Sequence, residues 1–180
     1  MSGHEEGAAQ PPAPEFSRPF RLEKLGNAPV TESLRARPEE RAALAARLDL
    51  LALDRLEAEL TLSWRAAGTL LEVSGSFSAE VVQRCVVTLE PVPARIEEAV
   101  HLQFTAASSK AAGPEEEPTD PDAPEPLPPE GLDLGEEVAQ LLSLALDPYP
   151  RAPGADLPPE ATDETGSPFA ELKALKKGKT

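Results

Sequence analysis

The sequence predicts an α+β domain, with an antiparallel sheet of about four to six strands, barrel-like if it closes, covered by two helices and flanked by disordered tails and an acidic linker. Three patterns carry this reading. Leu56, Ala58, Leu60, Leu62 and Trp64 alternate with Glu57, Glu59, Thr61, Ser63 and Arg65, the signature of a strand with one face buried. Leu71, Val73, Phe77, Ala79, Val81, Cys85, Val87 and Leu89 then share one parity. Two stretches, Pro38 to Leu51 and Leu134 to Leu146, instead repeat their apolar residues at helical spacing. Strands in series with helices across them make an α+β layer structure.

In chain order, residues 1–15 are Gly, Ala, Pro and Glu without a period, and read as a disordered leader. From Phe16, the alternation of Phe16, Phe20 and Leu22 with Ser17, Pro19, Arg21 and Glu23 describes an edge strand, because Pro19 cannot donate to a ladder on both sides. Gly26, Asn27 and Pro29 break it. Pro38 suits a first helical position, Glu39 and Glu40 favour the positive end of the helix dipole, and Leu44, Leu48 and Leu51 line one face.

The strand over Leu56–Arg65 turns at Gly68. The run from Thr69 to Leu89 exceeds an ordinary strand and should bulge or break near Gly75 or around Ser78 to Gln83, so two strands are expected there. Its parity turns Cys85, Phe77 and Val87 into the core of the motif and Arg84 outward. Pro91 and Pro93 end it, and Ile96, Val100, Leu102 and Phe104 form one more strand in which Glu98 is the misfit.

Residues 111–130 hold seven prolines and seven acidic residues without one Lys or Arg. Such a segment buries too little apolar area to offset its ordering entropy, so it reads as a self-repelling linker at about 107–131 that interrupts a single domain over 16–155. It is either a plain spacer or a nucleic-acid mimic that shields a basic partner. Asp133 then caps a helix, with Glu136 as the other half of a capping box, and Leu134, Val138, Leu141 and Ala145, widened by Leu142, Leu144 and Leu146, form an apolar face to be buried before Pro148. The tail, 156–180, is flexible and ends in a short basic helix. Ser167, Pro168, Phe169, Leu172 and Leu175 shape it, and Lys173, Lys176, Lys177 and Lys179 make it basic. It is either a frayed terminus or a linear element that docks on RNA or in a partner groove.

Composition limits function. Twenty-one prolines and 4% aromatic residues in 180 leave part of the chain without core material. One cysteine permits no internal disulfide, and no apolar run suits a bilayer or a secretory signal, so a soluble cytoplasmic protein is expected. Of the net charge of −15, residues 1–110 carry −4 and residues 111–180 carry −11, which disfavours long-range steering onto a phosphate backbone. Phosphate-loop and H-E-x-x-H patterns are lacking. A nucleophilic Cys85 would need His101 and an open site, yet parity sends the two to opposite faces. Neighbouring acids such as Glu97 and Glu98 or Glu136 and Glu137 read as solvated faces. No catalytic residue, metal or cofactor is therefore assigned.

The order FSRPF, PEERAALAARLDL, GSFSAEVVQRCVVTLEPVPARIEE, an acidic gap, LDLGEEVAQLLSLALDPYPRAPGA and SPFAELKAL resembles the YceD family, the large ribosomal RNA subunit accumulation proteins of bacteria and plastids. VQRCVVTLEPV and LALDPYPR are its most specific parts. The resemblance implies a role in making or preserving large-subunit ribosomal RNA. Many members resemble a C-x-R-C pattern, whereas Val82 holds the first thiol position here. Without that pair, and with only His4 and His101 besides, neither a zinc site nor a redox dithiol is expected within the chain. Two functions follow. One is a non-enzymatic factor that binds ribosomal RNA, or a basic ribosomal protein of the large subunit, through the outward Arg65, Arg84 and Arg95, with Lys176 and Lys177 of the tail. The other is an RNA-processing enzyme with an unrecognised site, which would require His101, Cys85 and a carboxylate to converge.

Overall fold

The computed structural model describes residues 14–106, 124–128 and 131–156. Its elements are β1 (Pro19–Phe20), β2 (Val30–Arg35), α1 (Pro38–Arg47), β3 (Ala52–Arg65), β4 (Leu70–Arg84), β5 (Pro91–Thr105), β6 (Glu125–Pro126), β7 (Leu132–Asp133) and α2 (Leu134–Ala145). Strands β2 to β6 lie side by side in chain order, and β1 pairs with β7 in a separate two-stranded sheet. The α+β class holds, with two corrections. The main sheet is mixed, because β6 runs parallel to β5, and it is open rather than barrel-like, with β2 and β6 at its edges.

One face of this sheet is the core. Leu56, Leu60 and Leu62 of β3, Leu71, Val73, Phe77, Ala79 and Val81 of β4, and Val100 and Phe104 of β5 are all buried, together with Leu44 of α1 and Val138 and Leu142 of α2. Each buried Leu, Val or Phe among them is worth roughly 1.5–3 kcal/mol of transfer free energy. The opposite face is polar. The cross-strand row Thr31, Thr61, Ser74, His101 and the row Ser33, Glu59, Ser76, Ala99 typify it.

Strand β4 is one continuous strand of 15 residues rather than two, and Gly75 lies in its middle. The backbone of Glu59 passes so close that a Cβ at Gly75 would stand 2.0 Å from its carbonyl oxygen, so this glycine serves close strand approach and not a break. The irregularity sits on β3 instead, as a register shift between Leu53 and Arg55. Pro91 and Pro93 begin β5 rather than ending β4's run. There β5 has β4 on one side only, so a missing N–H costs no ladder bond.

Helix α1 stops at Arg47, short of the expected Leu51, because Leu48 caps it and Asp49 takes a left-handed φ of 52°. β3 accordingly starts at Ala52 and not at Leu56. The edge strand expected from Phe16 shrinks to the two residues of β1. Its neighbours form a clasp: Ser17 Oγ and the Arg18 N–H donate to Asp133 at 2.5 and 2.6 Å. Asp133 also caps α2 by accepting from the N–H groups of Gly135 and Glu136. Glu136 does not complete a capping box, since its carboxylate takes Arg47 at 2.8 Å. Leu144 of α2 is 82% exposed, so the broad apolar face is not wholly buried.

Within the expected acidic linker, Glu125 and Pro126 form β6 against Phe104 and Thr105, and the Leu127 N–H donates to Thr105 O. The leader through residue 13, the linker residues 107–123 and 129–130, and the tail from 157, with Lys176 and Lys177, lie outside the described residues.

Candidate binding surface at the Cys85 turn

At the end of β4 the strand parity that points Phe77, Ala79 and Val81 inward stops governing the chain. Cys85 is fully buried, but it opens a turn in which its N–H donates to Glu90 O and its carbonyl accepts from Leu89 N–H. Val87, expected in the core, is therefore only half-buried, and Leu89 is 67% exposed. The thiol organises the turn. Its sulfur accepts N–H bonds from Val87 at 3.4 Å, Thr88 at 3.3 Å and Ala152 at 3.3 Å. The Ala152 N–H and the Thr88 hydrogen bonds lead in drawing the Cys85 thiol down from 9.0 to about 6.

The third of those donors belongs to the segment that follows α2, so the two stretches VQRCVVTLEPV and LALDPYPR meet here. The Val86 N–H donates to Pro150 O at 2.9 Å, and Gln83 Nε2 to Asp147 O at 2.8 Å. The Leu51 N–H, between α1 and β3, bonds Val82 O at 2.8 Å. These bonds gather side chains that strand parity alone does not connect. Leu51, Val86, Leu89 and Tyr149 are 44%, 48%, 67% and 72% exposed, and with Leu144 they are the large apolar residues left exposed among the described residues. Arg84, Arg151, Asp49, Glu90 and Asp147 supply charge around them. Leu89 also holds a left-handed φ of 64°, a strained conformation for a branched side chain.

The three arginines singled out from the sequence do not form one site. All lie on the polar face, but Arg65 stands opposite Leu70 at the far end of β4 from Arg84, roughly 46 Å away at ~3.3 Å per residue. Arg95 stands opposite Glu80, roughly 13 Å from Arg84 on the same scale. Arg65 pairs with Glu72 at 2.6 Å and Arg95 with Glu97, whereas Arg84 is in no ion pair among the described residues. Phe77 is buried in the core, at 3% exposure.

His101 faces Ser74 on the polar side, roughly 36 Å along β4 from Cys85, so the two do not form a nucleophile and base. Among the described residues no three His, Cys, Asp or Glu side chains are grouped to hold a metal ion, and no helix is long and apolar enough to cross a membrane. Sequence reasoning missed Leu51, Val86 and Tyr149 as a surface. Tyr149, the single tyrosine, between Pro148 and Pro150, was the available signal.

No curated protein and no solved structure matches this chain. A family model described as Large ribosomal RNA subunit accumulation protein YceD matches residues 73–176, more than half of the chain. FSRPF and PEERAALAARLDL lie ahead of that match, while the Cys85 turn, the segment 147–152 and Tyr149 fall inside it. On that match the chain belongs to the YceD family of large ribosomal RNA subunit accumulation proteins.

Proposed function

We propose that this chain supports large-subunit ribosomal RNA without chemistry of its own, by docking a basic ribosomal protein of the large subunit on the surface of Leu51, Val86, Leu89 and Tyr149. The observation that carries this reading is the exposure of these four apolar side chains on three segments that hydrogen-bond to one another around the buried Cys85. An apolar centre with tyrosine in it and arginines and acids at its rim is the composition of a protein–protein interface. Strain at Leu89 supports the same surface, because a left-handed leucine held out to solvent costs free energy that a partner's burial of it offsets. The net charge of −15 attracts a basic partner and repels bare RNA.

The test places a photo-crosslinking amino acid at position 89 in cells and identifies what is attached. Peptides of one large-subunit ribosomal protein are the expected product. Ribosomal RNA as the main adduct would overturn the protein-docking reading.

A further inference from the structure

A second apolar surface lies away from the Cys85 turn, between α2 and β5. It is a groove of about 300 Å³ lined by Phe77, Glu98, Ala99, Leu141, Leu144 and Ala145. Leu144 projects beside it with 82% of its surface exposed, and Glu98 forms no ion pair among the described residues.

We propose that residues 167–177 of this same chain, SPFAELKALKK, dock in that groove, with Phe169 and Leu172 against Leu144 and the lysines beside Glu98. Three observations favour this occupant. Phe169, Leu172 and Leu175 recur at helical spacing while Lys173, Lys176 and Lys177 supply charge opposite to the groove's. The tether reaches: Ala152 is fixed to Cys85, and Phe77 lies roughly 26 Å back along β4. Residues 157–168 span up to ~40 Å when extended. The family match over 73–176 takes in the groove and all but the last residue of this segment, while leaving out β2, α1 and all of β3.

The experiment uses the full purified chain with a photo-crosslinking amino acid at position 144, and maps the linked peptides. The main product expected is a link within one chain to residues 167–177. Phe169→Asp with Leu172→Asp lowers its yield at least tenfold, and Glu98→Lys lowers it severalfold. A link to any other segment, a link joining two chains, or a yield unchanged by the paired aspartates overturns the proposal. No ribosomal component is present, so the outcome is independent of what binds at the Cys85 turn.

Discussion

Arg18 grips Glu40 with both terminal guanidinium nitrogens, at 2.9 and 2.8 Å, and so ties the N-terminal segment to the first turn of α1. Glu40 is the one buried charged residue among those described, and the Arg37 N–H and guanidinium complete its shell at 2.7 and 2.8 Å. Arg18 also lies 4.6 Å over the Phe16 ring.

That shell makes stability depend on acid. The Arg18 hydrogen bonds lead in lowering the Glu40 carboxyl from 4.5 to about 2. The folded value is depressed, so the stabilisation is complete above 4.5 and is lost as pH falls toward 2. Arg18→Ala leaves a buried carboxylate with one partner and should cost about 2–3 kcal/mol at neutral pH. Thermal unfolding from pH 2 to pH 7 measures both effects. A variant whose midpoint equals the parent's at pH 7 would show that the Arg18–Glu40 pair carries no stability.

The Cys85 thiol follows the same sign at higher pH. Its folded value, about 6, lies below 9.0, so its contribution is full above 9.0 and fades as pH falls through about 6. Cys85→Ala should therefore lose more stability relative to the parent at pH 9 than at pH 6. Paired midpoints across that window check it, and a constant difference would mean that the thiol stays protonated.

Glu137 runs the other way. Burial first, then the nearby charges of Glu125, Glu136 and Asp133, push its carboxyl from 4.5 up to about 7. The folded state holds the proton more tightly, so this group costs stability as pH rises from 4.5 to 7. Glu137→Gln should raise the unfolding midpoint at pH 8 and leave it nearly unchanged at pH 4. A lower midpoint at pH 8 would mean that the carboxylate has a favourable partner.

At the proposed docking surface, Leu89→Asp should reduce large-subunit ribosomal RNA more than Arg84→Ala does at equal protein abundance, because the apolar centre carries more binding energy than the rim. Arg21→Ala, on an exposed residue outside that surface, should change nothing. Ribosomal RNA levels in the three strains decide it; equal levels in the Leu89 and Arg21 variants would remove the surface from the function.

The pattern of β3 and the first part of β4 was legible because alternating polarity is set by burial of one face, and Leu56 to Leu62 and Leu71 to Val81 obey it. The same rule misplaced Val87 and Leu89, since three N–H bonds to the Cys85 sulfur fold the chain into a turn and periodicity holds no record of them. Strand β2 was missed because Val30 and Leu34 are its only apolar residues, and its identity rests on pairing with β3. Strand β6 is a Glu-Pro pair whose only strand character is its backbone bond to β5. Arg65, Arg84 and Arg95 were correctly placed on the polar face, but shared parity says nothing of how far apart along the strands residues lie.

The clasp joins Ser17 to Asp133 across 116 residues, while strands β2 to β5 each pair with their immediate successor. A chain synthesised from its N-terminus can therefore zip up the meander as it emerges and tie Arg18 to Glu40, but β1 and the Ser17 hydroxyl must wait for their partners until β7 has been made. The strand laid down ahead of the meander is thus paired only after the meander is complete, so β7 fastens β1 to a sheet that has already formed.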